Sequence, residues 1–301
     1  MNHTLAVAMT VALAAGQIGQ PAFRSRTDLV ALNVTVTDEQ SQVVRGLTRD
    51  AFAVTEEDAP RPIEQFAAAS VPLSLVVAID ASESMRGARL EFARQAVLRF
   101  LERLGPDDEL DVFGFNDRPF NITKGSKDPQ TIARALARVR PGGWTALYNA
   151  VAAGVEALQR AKHRRRALVV ISDGNDEMAD RYDDGRASPA REAVAAARVN
   201  HSEAMIFAIG VDPPDRFAAR PLNIGALTRL TDPSGGATRV VVSADRVTYE
   251  AERIGDELRE QYVIGFAPAH PGDGKFHRVQ VTVSGCDKCR VRARSGYIAD
   301  K

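Results

Sequence analysis

Leu73-Ser-Leu-Val-Val-Ala-Ile-Asp-Ala-Ser-Glu-Ser84 is the stretch whose reading decides the fold of this chain. Leu75 to Ile79 is short, continuous and rich in β-branched residues, the pattern of a strand covered on both faces, and a helical pattern opens near Gly87 directly after it. Asp80, Ser82 and Ser84 therefore fall on a loop at the carboxyl end of a central strand, which is where open α/β sheets bind ligands. One carboxylate and two small hydroxyls offer hard oxygen donors without bulk. Such donors suit Mg²⁺, or Mn²⁺ or Ca²⁺ in its place, since hard cations prefer oxygen and retain water in their shell.

Two further segments point to the same place. Ala167–Ser172 is a second buried-type strand and runs into Asp173-Gly174, while Gly142-Gly143-Trp144-Thr145 precedes another helical pattern. The Asp-x-Ser-x-Ser run also reads as a helix N-cap cluster, because Ser, Thr and Asp accept hydrogen bonds from free backbone N–H groups. Capping and metal binding are compatible, and Ser84 or Thr145 could serve both.

With all three segments in view, the chain resembles von Willebrand factor type A domains. Asp80-x-Ser82-x-Ser84, Thr145 within Gly-Gly-x-Thr-Ala-Leu-Tyr, and Asp173 within Ile-Ser-Asp-Gly are similar to that family's complete metal-ion-dependent adhesion site. The resemblance implies that Ser82, Ser84 and Thr145 coordinate the cation directly, with Asp80 and Asp173 acting largely through bound water. It also implies that a carboxylate from a protein partner completes the metal shell.

Around this site, Leu73 to Glu260 alternates strand and helix patterns, giving an α/β class with a doubly wound, mostly parallel sheet. Strands are expected at Leu73–Ile79, Leu110–Phe115, Ala167–Ser172, Met205–Gly210 and Thr238–Val242, with a shorter one near Phe120–Thr123. Leu90, Ala93, Val97, Phe100, Leu101 and Leu104 share one helical face. Leu147, Ala150, Val151, Gly154, Val155 and Leu158 share another, and Ile132, Leu136 and Val139 a shorter one. Val247, Ala251, Ile254 and Leu258 mark a last helix.

The flanks read differently. Val30, Leu32, Val34 and Val36 alternate with polar or small residues, and short strands are expected at Phe52–Thr55, Ile63–Phe66, Tyr262–Phe266, Phe276–Val283 and Arg290–Ile298. Each flank, about 40 residues, is too small to bury much apolar surface alone. We therefore expect residues 24–69 and 261–299 to form one small β-sandwich into which a domain of residues 70–260 is inserted, the alternative being two separate β extensions. Asp28-Leu-Val-x-Leu-x-Val-x-Val-x-Asp38, Gly46-Leu-Thr-x-Asp-x-Phe52, Tyr262-x-Ile-Gly-Phe266 and Gly296-Tyr297 resemble the VWFA-related proteins common in Acidobacteria, which implies export and supplies no ligand.

Residues 1–22 read as a signal peptide or disordered leader. Leu5 to Ala15 has the length of a signal h-region and Ala12-Leu13-Ala14 a cleavage-type spacing, although no Lys or Arg precedes them. That places the protein in the periplasm or outside the cell. An uncleaved interfacial segment is the alternative, and no other segment reaches transmembrane length. Formal net charge is zero over 301 residues, which argues against a nucleic-acid surface. The basic run Lys162-His-Arg-Arg-Arg166 is expected to end a helix and complement its dipole.

Cys286 and Cys289, between two C-terminal strands, read as a disulfide across a hairpin in an oxidising compartment. The five histidines, His3, His163, His201, His270 and His277, fall outside every proposed loop, so Ser82 and Ser84 lack a sequence-evident base. No catalytic residue is assigned, and an exported, metal-dependent protein-binding module is the expected function. Its competitors are a metal-assisted hydrolase and an intracellular assembly subunit. Trp144, the single tryptophan, is either an interface anchor beside the metal or packing for its loop. The acidic stretch Asn175–Asp184 reads as a solvated loop.

Overall fold

The computed structural model describes residues 29–68, 72–177, 187–214 and 221–299, with side chains described from 192 onward in the third of these. The expected leader lies outside the described residues, as does most of the acidic stretch after Glu177. In chain order the first flank contributes β1 (Val30–Thr37), β2 (Phe52–Glu56), β3 (Ala59–Arg61) and β4 (Gln65–Ala67). The central zone follows as β5 (Leu73–Asp80), α1 (Ala88–Arg103), β6 (Glu109–Phe115), β7 (Pro119–Lys124), α2 (Pro129–Arg138), α3 (Leu147–Gln159) and β8 (Arg165–Ser172). It continues through α4 (Ala187–His201), β9 (Met205–Val211), α5 (Ile224–Thr231), β10 (Thr238–Val241) and α6 (Ala244–Arg259). The chain closes with β11 (Tyr262–Phe266), β12 (Phe276–Val283), β13 (Arg290–Arg292) and β14 (Gly296–Ile298).

The central sheet has six strands in the order β10-β9-β8-β5-β6-β7, parallel throughout except for the antiparallel edge strand β7. Every residue of β5 is buried, because the strand sits mid-sheet with helices on both faces. Leu75, Val77 and Ile79 pack toward α1, α2 and α6, whereas Val76 and Ala78 pack toward α3, α4 and α5. Burial on both faces explains the unbroken apolar run, each such side chain contributing about 1.5–3 kcal/mol. Helix α3 buries the face expected of it and α1 does so up to Leu101, while Leu104 and Val139 fall just past the ends of α1 and α2.

From β5 the chain winds outward to β6 and β7, then returns through α3 to β8 on the other side of β5. The winding direction thus reverses between β5 and β8, and their carboxyl ends open a crevice there. That reversal fixes where a site can lie.

The flanks form two four-stranded antiparallel sheets, β13-β1-β11-β4 and β14-β12-β2-β3, each mixing strands from both ends of the chain. Leu32, Val34, Val54, Ile264, Phe266 and Val281 meet in one apolar cluster spanning both sheets. The stretch Arg290–Ile298, expected as one strand, is two, since β13 joins β1 and β14 joins β12. Strand β3 was not expected; Glu57 and Asp58, both at positive φ, turn the chain back from β2 into it. The basic run also needs correction: α3 stops at Gln159, and Arg165 and Arg166 open β8 rather than closing a helix. Arg165 is buried there, and Arg166 donates to the carbonyls of His163 and Ala161 and so braces the turn before β8. Cys286 and Cys289 lie side by side between β12 and β13, with Cα atoms 5.4 Å apart. Among the described residues, no helix is long and apolar enough to cross a membrane.

Candidate functional site

Pairing of Ile79 with Ile171 sets Asp80 beside Ser172 at the ends of β5 and β8. Ser172 Oγ donates to Asp80 Oδ2 at 2.6 Å, and the Ser82 N–H donates to Asp80 Oδ1 at 2.9 Å. Both carboxylate oxygens are engaged, and the group is fully buried. Burial, joined by the negative charge of Asp173, pushes the Asp80 carboxyl up to about 7, with the hydrogen bonds from Ser172 and Ser82 only partly opposing this. The site therefore carries an electrostatic strain that a nearby cation would relieve.

After Asp80 the chain turns through Ser82 into one turn of 3-10 helix, Glu83–Met85, anchored by the buried Met85. Ser82 Oγ and Ser84 Oγ lie 3.1 Å apart. The loop before α3 is drawn onto this turn by two backbone bonds. The Gly142 N–H donates to the Ala81 carbonyl at 2.9 Å, and the Glu83 N–H donates to the Gly143 carbonyl at 3.0 Å. From its other side the β6–β7 turn holds it, with Asn116 Nδ2 donating to the Gly142 carbonyl at 3.0 Å and Asp117 Oδ1 accepting the Trp144 N–H at 2.9 Å. Gly143 has φ +78°, and a Cβ there would stand 2.8 Å from Asp117 Oδ2, so the close approach requires glycine.

Thr145 is fully buried at the end of this loop, and its Oγ1 has no hydrogen-bond partner among the described residues. Its carbonyl accepts the Glu177 N–H at 2.9 Å, which ties the loop to the segment after Asp173. Asp173 is also fully buried; its Oδ1 accepts the Asn175 N–H at 3.2 Å and its carbonyl accepts the Asn223 N–H at 2.8 Å. Gly174, at φ +79°, would place a Cβ 2.4 Å from the Asn223 carbonyl oxygen, again leaving room only for glycine.

Arg89, in the first turn of α1, links the remaining pieces. Its buried guanidinium donates from Nη1 to Asp173 Oδ2 at 3.2 Å and to the Ser84 carbonyl at 3.0 Å, and Nη2 stands 3.8 Å from Asp212 Oδ1 at the end of β9. The sequence held a signal for it, since Arg89 shares the stripe of Ala93, Val97 and Phe100 at helical spacing and is the charged residue on that apolar face. Ser172, Asn116 and Asp117 carried no comparable signal, because each acts through contacts with segments far away in sequence.

The three loops bearing Asp80, Ser82, Ser84, Thr145 and Asp173 thus bond to one another at the crevice. Asp80, Ser82 and Ser84 are linked directly; Asp173 joins them through Arg89, and Thr145 through the backbone of its loop. The capping reading is not realised: Gly87 and Ala146 precede α1 and α3 without side-chain caps, and Ser82 makes none. Among the described residues, no group of three or more His, Cys, Asp or Glu is placed to hold a metal ion, so the donors here are hydroxyls with two carboxylates. Trp144, beside Thr145, is 37% exposed.

Residues 75–175, which contain all five of these positions, match the von Willebrand factor type A domain family. It is this segment, about a third of the chain, that is similar to von Willebrand factor type A domains. A solved von Willebrand factor type A structure from Catenulispora acidiphila superposes with a TM-score of 0.54 over 93% of this chain and 76% of that one, at 13% identity, a likeness of fold. An uncharacterised protein of Synechocystis sp. is 30% identical over 113 residues, covering 36% of this chain and 27% of the relative. A heavy chain of the inter-alpha-trypsin inhibitor from Sus scrofa is 23% identical over 171 residues, covering 53% of this chain and 18% of that protein. The chain spans about a quarter or less of the length of the curated relatives it matches.

Proposed function

We propose that this protein is an exported, divalent-cation-dependent protein-binding module of the adhesion type. The observation that carries the reading is the Thr145 hydroxyl, buried and without a partner among the described residues, on a loop bonded to the Ser82–Ser84 turn. Leaving such a group unsatisfied costs about 1–3 kcal/mol, and a cation offers its lone pair a partner. Ser82, Ser84 and Thr145 would hold Mg²⁺, or Mn²⁺ or Ca²⁺, directly, with Asp80 and Asp173 acting through water. Since the direct donors are neutral hydroxyls, the cation stays electron-poor and favours a carboxylate offered by a partner protein.

Capture of that kind makes and breaks no covalent bond, and no catalytic residue is proposed. Ser82 and Ser84 bond one another rather than a general base, which weighs against a hydrolase. Export is proposed from the apolar leader and from the Cys286–Cys289 pair, which suits an oxidising compartment. We also read the two flanking sheets as a β-sandwich that carries the binding domain on one side.

Titration calorimetry with Mg²⁺, Mn²⁺ and Ca²⁺ tests the metal. Millimolar or tighter binding, at least ~4 kcal/mol at the standard state, is expected of the wild type and not of Asp80→Ala. Equal heats from both proteins would refute the site. Retention of a partner on immobilised protein with and without chelator then tests whether capture depends on the cation.

A further inference from the structure

We infer that Arg89 sets the charge of the metal centre and thereby selects an anionic ligand. The inference rests on the cation site proposed above and concerns what that site prefers to hold. Arg89 is 3% exposed, and its Nη1 lies 3.2 Å from Asp173 Oδ2 and 3.0 Å from the Ser84 carbonyl oxygen, so its positive charge sits inside the cluster. Counted as carboxylates, Asp80 and Asp173 bring two negative charges, Arg89 returns one positive charge, and a divalent cation adds two, so that these four groups sum to +1. One carboxylate from a ligand neutralises that charge.

A neutral residue at position 89 would leave the loaded cluster already balanced, and an anion would gain little by entering. Asp212 does not cancel Arg89, because it is 45% exposed and 3.8 Å away on the solvent side, where water screens it. Inside the buried cluster screening is weaker and one unit of charge matters more. The same guanidinium opposes the metal itself by repulsion and by occupying Asp173 Oδ2. Arg89 thus weakens the bare cation and strengthens the demand for an acidic ligand. A purely structural role, bracing the Ser84 carbonyl, predicts the opposite sign for the metal: loss of Arg89 would loosen that turn and weaken cation binding.

Calorimetry on wild type, Arg89→Gln and Arg89→Lys, with Mg²⁺ titrated in the presence and absence of acetate, separates these roles. Removing one positive charge a few ångströms from a dication is expected to tighten Mg²⁺ binding by about tenfold or more. Acetate should improve Mg²⁺ affinity in the wild type and in Arg89→Lys, and this linkage should vanish in Arg89→Gln. Unchanged or weaker Mg²⁺ binding by a folded Arg89→Gln protein, or undiminished acetate linkage, would overturn the inference. Thermal melting covers a variant that unfolds without metal. Mg²⁺ should then restore its folded state, since the ion can balance Asp173 in place of the guanidinium, and failure of that rescue would count against the inference. Absence of Mg²⁺ binding by the wild type would instead remove the metal site itself.

Discussion

Asp80 shows how much a single buried carboxyl can impose on the whole protein. An Asp in the unfolded chain titrates near 3.8, whereas in the fold its carboxyl is pushed up to about 7. Below the lower value both states hold the proton, and between the two values only the unfolded state releases it. Metal-free stability should therefore fall as pH rises from about 4 to about 7, since the native state binds more protons across that window. A cation reverses the preference by favouring the carboxylate, so the rise in melting temperature on adding Mg²⁺ should be larger at pH 8 than at pH 6; an equal rise at both would show that Asp80 does not feel the ion. Thr145 allows a complementary test. Thr145→Val removes that hydroxyl at nearly constant shape and should leave metal-free stability unchanged or raised by about 1 kcal/mol, while weakening Mg²⁺ binding at least several-fold. A variant with lower metal-free stability and wild-type calorimetry would show that the hydroxyl has a structural role only.

At the scale of elements, the site depends on where β5 and β8 end and on a loop held between them. Gly143 is the narrowest point of that loop, with positive φ and Asp117 directly against it. Gly143→Ala should cost about 1–3 kcal/mol, read from chemical denaturation, and should lower cation affinity because the Thr145 loop must shift. The strands of the central zone and the helices α1, α2, α3 and α6 are legible in the sequence, as are the loops carrying Asp80, Thr145 and Asp173, because two-sided burial and helical stripes leave a local record; α4 and α5 are not among the expected helices. Arg89 was overlooked although it lay on the stripe of α1, since one charge on an apolar face reads as noise until its partners are known. The run Lys162–Arg166 was misassigned for a related reason. Its charges suggested a helix end, but Arg165 belongs to β8 and is buried at the base of the sheet.

Across the whole molecule, charged side chains tie the central α/β zone to the flanking sheets. Glu257 on α6 is buried and accepts from Arg239 of β10 at 2.6 Å and from Arg292 of β13, so it joins the last helix, the central sheet and a flank strand. Removing the carboxylate takes the acceptor from Arg292 and leaves Arg239, among the described residues, only Glu250, 3.7 Å away. Glu257→Gln is expected to lower stability by about 2–4 kcal/mol, seen as an earlier urea midpoint at unchanged slope. An unaltered midpoint would mean that the flank and domain are held by apolar contacts alone.

By itself the sequence determined the α/β alternation, the central strand leading into Asp80-x-Ser82-x-Ser84, and the alternating flank strands, all of which are periodic patterns written within a few residues. Only the tertiary structure decided that β1 pairs with β11 and β13, that Asp117 and Asn116 clamp the Gly142–Thr145 loop, and that Arg89 reaches Asp173. Those contacts join residues tens to hundreds of positions apart, and their stability comes from burial and charge balance in the folded chain, which no local pattern encodes.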